Sequence, residues 1–368
     1  MLPATTTPSP TSLERRLRLA LAGGPRAPRR ALLAGEAVAD PALEARLAAV
    51  STELLERCQA WLQRPRHHFL AWGDPGYPPL LAATADPPLG LFIAGDPGLL
   101  WRPALAVVGS RAASAGGCDN ARHLARSFCR AGLVVASGLA AGIDAAAHEA
   151  ALACGGGTVA VLGTGPDRPY PAAHARLMQE IGEQGAVLSE YPPGTPPRAA
   201  HFPGRNRIIA GLGLGTVVVE AAPRSGALIT ARLAAEAGRE VFALPGSIHH
   251  PLARGCHQLI REGAALVESP EEVLGGIASL AGHWARRLAP ERQPPDGPVE
   301  SPDLPTPDHH TLWKALEFDP IPMDALVERT GLTAAVLSSM LLCMELDGRV
   351  AVEHGRYARR STGGGPFA

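Results

Sequence analysis

The chain has 368 residues, 46% of them hydrophobic, and a formal net charge of −1. That suits a globular protein of one large domain and one or two small ones, and it excludes a chain that holds nucleic acid by bulk positive charge. Six scattered cysteines without a C-x-x-C pair argue against a zinc site or a disulfide framework and predict a reducing, cytoplasmic setting. Residues 1–11 are Thr/Pro-rich and are expected to be disordered. Residues 12–63 read as short helices broken at Gly23-Gly24-Pro25 and Asp40-Pro41, a small helical domain. The apolar run after Leu17 is mixed with arginines and lacks a cleavage region, so no signal peptide is expected. No apolar stretch approaches the roughly 20 residues of a membrane span.

Residues 64–104 read as a Pro/Gly-rich connector. From Leu105 short apolar runs alternate with helical segments: LAVVGS, LVVASG, TVAVLG, AVLSEY, TVVVEA and EVFALPG. Continuous apolar strands between helices predict an α/β domain, with a parallel sheet covered on both faces, over about 105–276. Residues 289–307 form a Pro-rich, semi-rigid linker. Residues 308–360 contain three helical stretches and a hairpin, RVAVEHGRYARR, which suggest a winged helix. The tail 361–368 is expected to be disordered.

In an open parallel sheet, ligands bind beyond the carboxyl ends of the strands. Four small-residue turns fall there: Gly109-Ser110-Arg111, the run from Ser137-Gly138 to Asp144, Gly163-Thr164-Gly165, and the run from Ala221 to Arg224-Ser225-Gly226. Glycine permits close backbone approach, and the amides of a helix start attract anions. Ser225 reads as an N-cap, with Arg224 beside the same helix start and Gly238 as its stop. Between Tyr191 and Ala235 the only acidic residue is Glu220, against Arg198, Arg205, Arg207, Arg224 and Arg232. Lys314 is the only lysine, which reads as codon bias. The first turn, G-S-R-A-A-S, lacks the G-x-G-x-x-G fingerprint, which disfavours NAD, and a Walker lysine motif is absent.

Three features remain open on residues alone. If Phe202-Pro203-Gly204-Arg205-Asn206-Arg207 is helical, Arg205 and Arg207 diverge and one is a structural ion-pair partner. If Pro203-Gly204 keeps the stretch in a loop, the favoured reading, both reach one ligand. Asp144 and His148 lie four residues apart without a third metal ligand; a helix-start aspartate and a packed histidine are favoured. Glu220 ends an apolar strand and is a candidate for catalysis, for bonding a neighbouring turn, or for pairing with an arginine.

The ordered motifs VVGSRAAS, SGLAAGIDAAAH, VLGTGPDRPYP, SEYPPG, FPGRNRIIAGL, VVVEAAPRSGALITA and REVFALPGSI span about 105–250, and GCHQLIREGA extends them to Ala264. In this order they resemble the DprA/Smf family. The resemblance implies an extended Rossmann-like domain that binds single-stranded DNA, with no cofactor, metal or covalent chemistry. It implies a mediator of natural transformation that protects incoming strands and loads a RecA-type recombinase past single-strand-binding protein. It also implies a homodimer, formed near Leu259 to Leu266. Carried over by motif, the binding residues would be Gly109, Ser110, Arg111, Gly138, Arg205, Asn206, Arg207, Arg224, Ser225 and Gly226, with Tyr170, Tyr191 and Phe202 as candidate aromatic platforms.

Two departures stand out. Where the family often carries a G-I-G turn, this chain reads Ala22-Gly23-Gly24-Pro25, which puts independent DNA binding by the helical domain in doubt. The third helix of the winged helix, TAAVLSSMLLCMELD, has no Lys or Arg, whereas Arg349, Arg356, Arg359 and Arg360 cluster in the hairpin; a partner-binding or auxiliary role is expected there. The alternative is a Rossmann-like nucleotide-processing hydrolase with a P-G-G-x-G-T-x-x-E motif. The nearest match, Gly211 to Glu220, lacks the initial Pro-Gly-Gly, and its Glu falls one place late.

Overall fold

The structure is a computed structural model that describes residues 12–288, 307–316, 321–346, 350–353 and 356–359. The expected disordered ends 1–11 and 361–368 and the linker 289–306 lie outside the described residues. The chain divides at Pro290 into two units.

The first unit opens with α1 (Leu13–Leu21), α2 (Arg26–Leu33), α3 (Pro41–Ala48) and α4 (Thr52–Leu62). Ser12, Asp40 and Ser51 cap α1, α3 and α4 through their side chains, and the helices close on Leu17, Leu19, Leu43 and Leu55. The stretch expected as a connector then does more than connect. It forms β1 (His67–Ala71), α5 (Pro79–Ala82) and β2 (Gly90–Gly95), and β1 and β2 pair antiparallel before β2 joins the main sheet against β6.

From there strand and helix alternate: β3 (Ala104–Val108), α6 (Ala115–Arg130), β4 (Val134–Ser137), α7 (Ile143–Ala153), β5 (Thr158–Leu162), α8 (Ala175–Gln184), β6 (Ala186–Ser189), α9 (His201–Leu212), β7 (Gly215–Val218), α10 (Gly226–Glu236), β8 (Glu240–Ala243), α11 (Arg254–Arg261), β9 (Ala265–Leu266) and α12 (Pro270–Leu288). The nine strands are ordered β1-β2-β6-β5-β4-β3-β7-β8-β9, and those from β6 to β9 are parallel. Strands β5-β4-β3-β7-β8-β9 reproduce the doubly wound 3-2-1-4-5-6 order.

Alternation along β3 divides the core between two faces. Ala104, Ala106 and Val108 pack under α9 and α10 with Ile208, Ile209, Ala227 and Ala231. Leu105 and Val107 turn to the other face, against Leu124 and Phe128 of α6 and Ile143 and Ala147 of α7. The order reverses between β3 and β7, so a crevice opens at their carboxyl ends, where the turns after the two strands diverge to opposite faces.

The second unit holds α13 (Pro307–Ala315), β10 (Ile321–Pro322), α14 (Met323–Thr330), α15 (Ala334–Leu346), β11 (Val350–Glu353) and β12 (Arg356–Arg359). Its strands are ordered β10-β12-β11, three helices beside a small antiparallel sheet. On α15, Leu337, Met340, Leu341 and Met344 point into the core, so its apolar stripe is packing. Arg356 is exposed on β12; Arg349 and Arg360 lie outside the described residues. No helix among the described residues is long and apolar enough to cross a membrane.

Candidate functional site

A cleft of about 740 Å³ occupies the switch point. Its walls are the β3–α6 turn (Gly109, Ser110, Arg111), the start of α7 (Asp144), the first turns of α9 (Phe202, Arg205, Asn206), the start of α10 (Ser225, Gly226), and Tyr170 and Pro197. Gly138 lies in an adjoining cavity of about 130 Å³ shared with Arg111, Tyr170, Phe202 and Arg205. Eight of the ten residues carried over from the motifs thus line one connected space.

The segment 201–207 is the start of α9, which corrects the loop reading. Pro203 is the third residue of the helix, where a missing amide costs no helical hydrogen bond. Residues two apart therefore diverge. Phe202, Arg205, Asn206 and Ile209 face the cleft. Arg207 does not join them. Its guanidinium donates to Glu190 at 2.7 Å and to Asp86 at 3.1 Å, and Arg26 of α2 holds the same two carboxylates. This network ties the N-terminal helices to α9, and it leaves Arg207 neutralised outside the cleft.

Arg205 is buried, 5% exposed. It donates to the carbonyl oxygens of Gly138, at 2.6 Å, and Val161, at the ends of β4 and β5, and through Nε to Asn206 Oδ1 at 3.1 Å. Burial pushes the guanidinium down to about 10; the Asp144 carboxylate works against that shift and the Arg111 charge adds to it. Arg205 still carries its charge at neutral pH. Asp144 accepts from the Gly138 and Ala140 amides at 3.0 and 3.4 Å; burial raises its carboxyl above the ordinary range, opposed first by Arg205. Asn206 donates to Gly226 O at 3.2 Å and so fixes the start of α10 against α9.

Arg111 is exposed. Its guanidinium lies 5.7 Å from the centre of the Phe202 ring, and that of Arg205 lies 6.0 Å from the same ring. Tyr170, 41% exposed, packs against Phe202 at 5.1 Å. Tyr191 instead stacks on His201 at 3.9 Å.

Among the helix starts around the cleft, those of α6 and α10 differ in how they are closed. At α6 the place for an anion is filled from within. Glu220 accepts from Ser114 N at 2.9 Å and Ser114 Oγ at 2.5 Å, and Ser114 caps Gly117. A Cβ on Gly117 would run into that carboxylate. Glu220 is therefore the tie between the ends of β3 and β7, one of the three roles open from sequence. At α10, by contrast, no side chain caps the first turn. Ser225 holds the cap position, but its Oγ is buried without a partner, which corrects the expected side-chain cap. Unlike that of α6, the α10 start leaves its dipole and its first amides for an anion. Arg224 is exposed beside it and lines the next groove, with Arg232 and Gln258.

His148 is fully buried against Thr158 Oγ1 at 2.7 Å, a packed histidine. Among the described residues no three His, Cys, Asp or Glu side chains are grouped to hold a metal. Sequence reasoning named neither Pro197 nor Ile229 as a wall of the cleft. Nothing local marks them, since the folding of distant loops brings them in.

Residues 68–278 match the family DNA recombination-mediator protein A, and residues 291–356 match the DprA winged helix domain. Protein Smf of Escherichia coli is 43% identical over 314 residues, covering 83% of this chain and 80% of that protein. The DNA processing protein DprA of Streptococcus pneumoniae is 53% identical over 201 residues, 55% of this chain and 71% of the relative. The X-ray structure of the S. pneumoniae protein superimposes with a TM-score of 0.61 at 41% identity, over 71% of this chain and 92% of that one. A Helicobacter pylori DNA processing protein A, whose structure is described by its single-stranded DNA binding mode, gives a TM-score of 0.52 at 28% identity, over 59% of this chain and 97% of that one. The chain belongs to the DprA/Smf family of DNA-processing, recombination-mediator proteins.

Proposed function

We propose that this protein binds single-stranded DNA in the switch-point cleft and acts as a non-enzymatic recombination mediator. It would protect incoming strands and load a RecA-type recombinase past single-strand-binding protein during natural transformation. One observation carries the reading: two guanidinium groups, Arg111 and Arg205, approach one aromatic ring beside an uncapped helix start. Like charges converge there, and the nearest carboxylates are already engaged, Asp144 by backbone amides and Glu220 by Ser114. Such a place favours a phosphodiester, with a base able to lie on Phe202 or Tyr170. Glu220, the residue nearest in place to the Glu of the P-G-G-x-G-T-x-x-E hydrolase motif, is engaged by Ser114, which speaks against that alternative.

The binding set is Gly109, Ser110, Arg111, Gly138, Arg205, Asn206, Ser225 and Gly226, with Arg224 at the rim. A homodimer through the β9 edge fits the exposure of Leu266, 49%, on a strand with a free side. The winged-helix unit is assigned an auxiliary, partner-binding role. The test is a loading reaction in which a RecA-type recombinase must displace single-strand-binding protein from a strand. The protein accelerates filament formation, and Arg111→Glu removes the acceleration. Equal rates with and without the wild-type chain would refute the mediator role.

A further inference from the structure

A second arginine surface lies beyond the ridge that walls the cleft. The ridge consists of the β5–α8 loop and the segment after β6. One end of that loop, Tyr170, lines the main cleft. The other end, at Asp167, lines a separate groove of about 630 Å³. Asp167 accepts from the Gly194 amide at 2.7 Å, so the two segments are tied where they cross. Three residues after Gly194, Pro197 is again a wall of the main cleft. Across the groove stands the tight turn between α4 and β1, which carries Arg64 and Arg66.

This turn presents its charge. Arg64 and Arg66 are exposed. Arg66 adopts a left-handed backbone, φ 61°, uncommon for a residue with a Cβ, and its carbonyl accepts from Gly95 N at 2.9 Å. Arg57 of α4 lies against the ridge: a Cβ on Gly194 would come within 3.3 Å of its Nε. Arg168 is exposed on the ridge itself. Among the described residues none of these four arginines holds a carboxylate. In the same helical region, by contrast, Arg16 holds Asp74, Arg18 holds Glu14, Arg26 holds Asp86 and Glu190, and Arg46 holds Asp40. The acidic residues of the groove are occupied: Asp167 by Gly194, and Glu183 by Gln179 Nε2 at 2.9 Å.

We propose that the Arg64–Arg66 turn, approached over Arg168 and Arg57, is a second contact for the phosphodiester backbone of a single strand that leaves the main cleft across the ridge. This rests on the single-strand reading above. A strand longer than the cleft must leave it on some side, and on this side it meets unpaired guanidinium groups. Binding by two such surfaces joined through one flexible polyanion is stronger than by either alone.

The experiment uses the full chain and oligothymidylates of about 6 and about 25 nucleotides, lengths that fill one site and exceed it. In Arg64→Glu/Arg66→Glu, affinity for the short strand stays at the wild-type value. Affinity for the long strand falls about tenfold at low salt, and its log–log salt slope drops by about 1.4, two phosphate contacts at about 0.7 each. Arg64→Gln/Arg66→Gln shifts the same way by less. Arg126→Glu/Arg130→Glu, which changes the charge equally on the surface of α6, leaves both affinities intact. Wild-type affinity of the turn variant for the long strand would overturn the proposal. So would equal weakening by the α6 variant, or a loss confined to duplex DNA. Failure of the wild-type chain to bind either strand would instead contradict the single-strand reading itself.

Discussion

Arg205 shows how one side chain serves the scaffold and the site together. Its bonds to the Gly138 and Val161 carbonyls lock the ends of β4 and β5, and its charge remains at the base of the cleft. Gly138 is glycine because of it: a Cβ there would stand 2.5 Å from Nη1 of Arg205. Gly138→Ala should therefore displace the guanidinium, cost about 1–3 kcal/mol, and weaken oligonucleotide binding; denaturant midpoints and anisotropy titrations report the two effects. His148 makes an acid-lability prediction. Burial holds it down at about 3, with the Arg205 and His174 charges pushing the same way, against an ordinary 6.5. Between those values the unfolded chain binds a proton that the native state refuses. Stability therefore falls as the pH drops from about 6.5 towards 3, by up to about 1.4 kcal/mol per pH unit from this group. His148→Gln should flatten that part of the urea-midpoint profile; superimposable profiles would contradict the assignment.

At the scale of elements, α9 decides which arginine belongs to the site. One face of its first two turns carries Phe202, Arg205 and Asn206 into the cleft, while Arg207 turns to Glu190 and Asp86. The divergence was legible as one of two readings, but the partners were not, since Asp86 lies 121 residues away in the chain. Pro203-Gly204 misled because both are tolerated in a first helical turn. Arg207→Met should leave Glu190 largely buried with one cation fewer and cost about 1–3 kcal/mol, while short-strand affinity of the folded protein is retained. A selective loss of affinity without loss of stability would return Arg207 to the site. Glu220 makes the converse case. It closes the α6 start and anchors the Ser110-Arg111 turn through Ser114, so Glu220→Gln should cost about 1–2 kcal/mol through weaker charge-assisted bonds. Its midpoint shift in urea, together with Ser114→Ala, tests whether the two residues act as a unit.

At the scale of the whole molecule, the doubly wound sheet was the most legible feature. Strands β3 to β7 are buried on both faces and therefore read as continuous apolar runs. β1 and β2 were hidden in a stretch dominated by proline and glycine, and β9 is only two residues long. Their pairing depends on edges that the rest of the sheet creates. The site was legible as a set of turns, because parallel topology gathers the carboxyl ends of β3, β4 and β7. It was not legible as chemistry: the uncapped start of α10, the occupied start of α6, and the shared Phe202 ring all depend on contacts between distant segments. In the second unit, Leu337, Met340, Leu341 and Met344 of α15 pack into the core, and the strongest claim to DNA stays with the first unit. The central claim is that the cleft grips phosphates through Arg111 with the help of Arg224 at its rim. The direct measurement is the affinity for a short single strand across a salt series, for the wild type and for Arg111→Ala/Arg224→Ala. The account predicts weaker binding and a log–log salt slope reduced by about 1.4, the loss of two contacts at about 0.7 each; an unchanged slope and affinity in the double variant would contradict it.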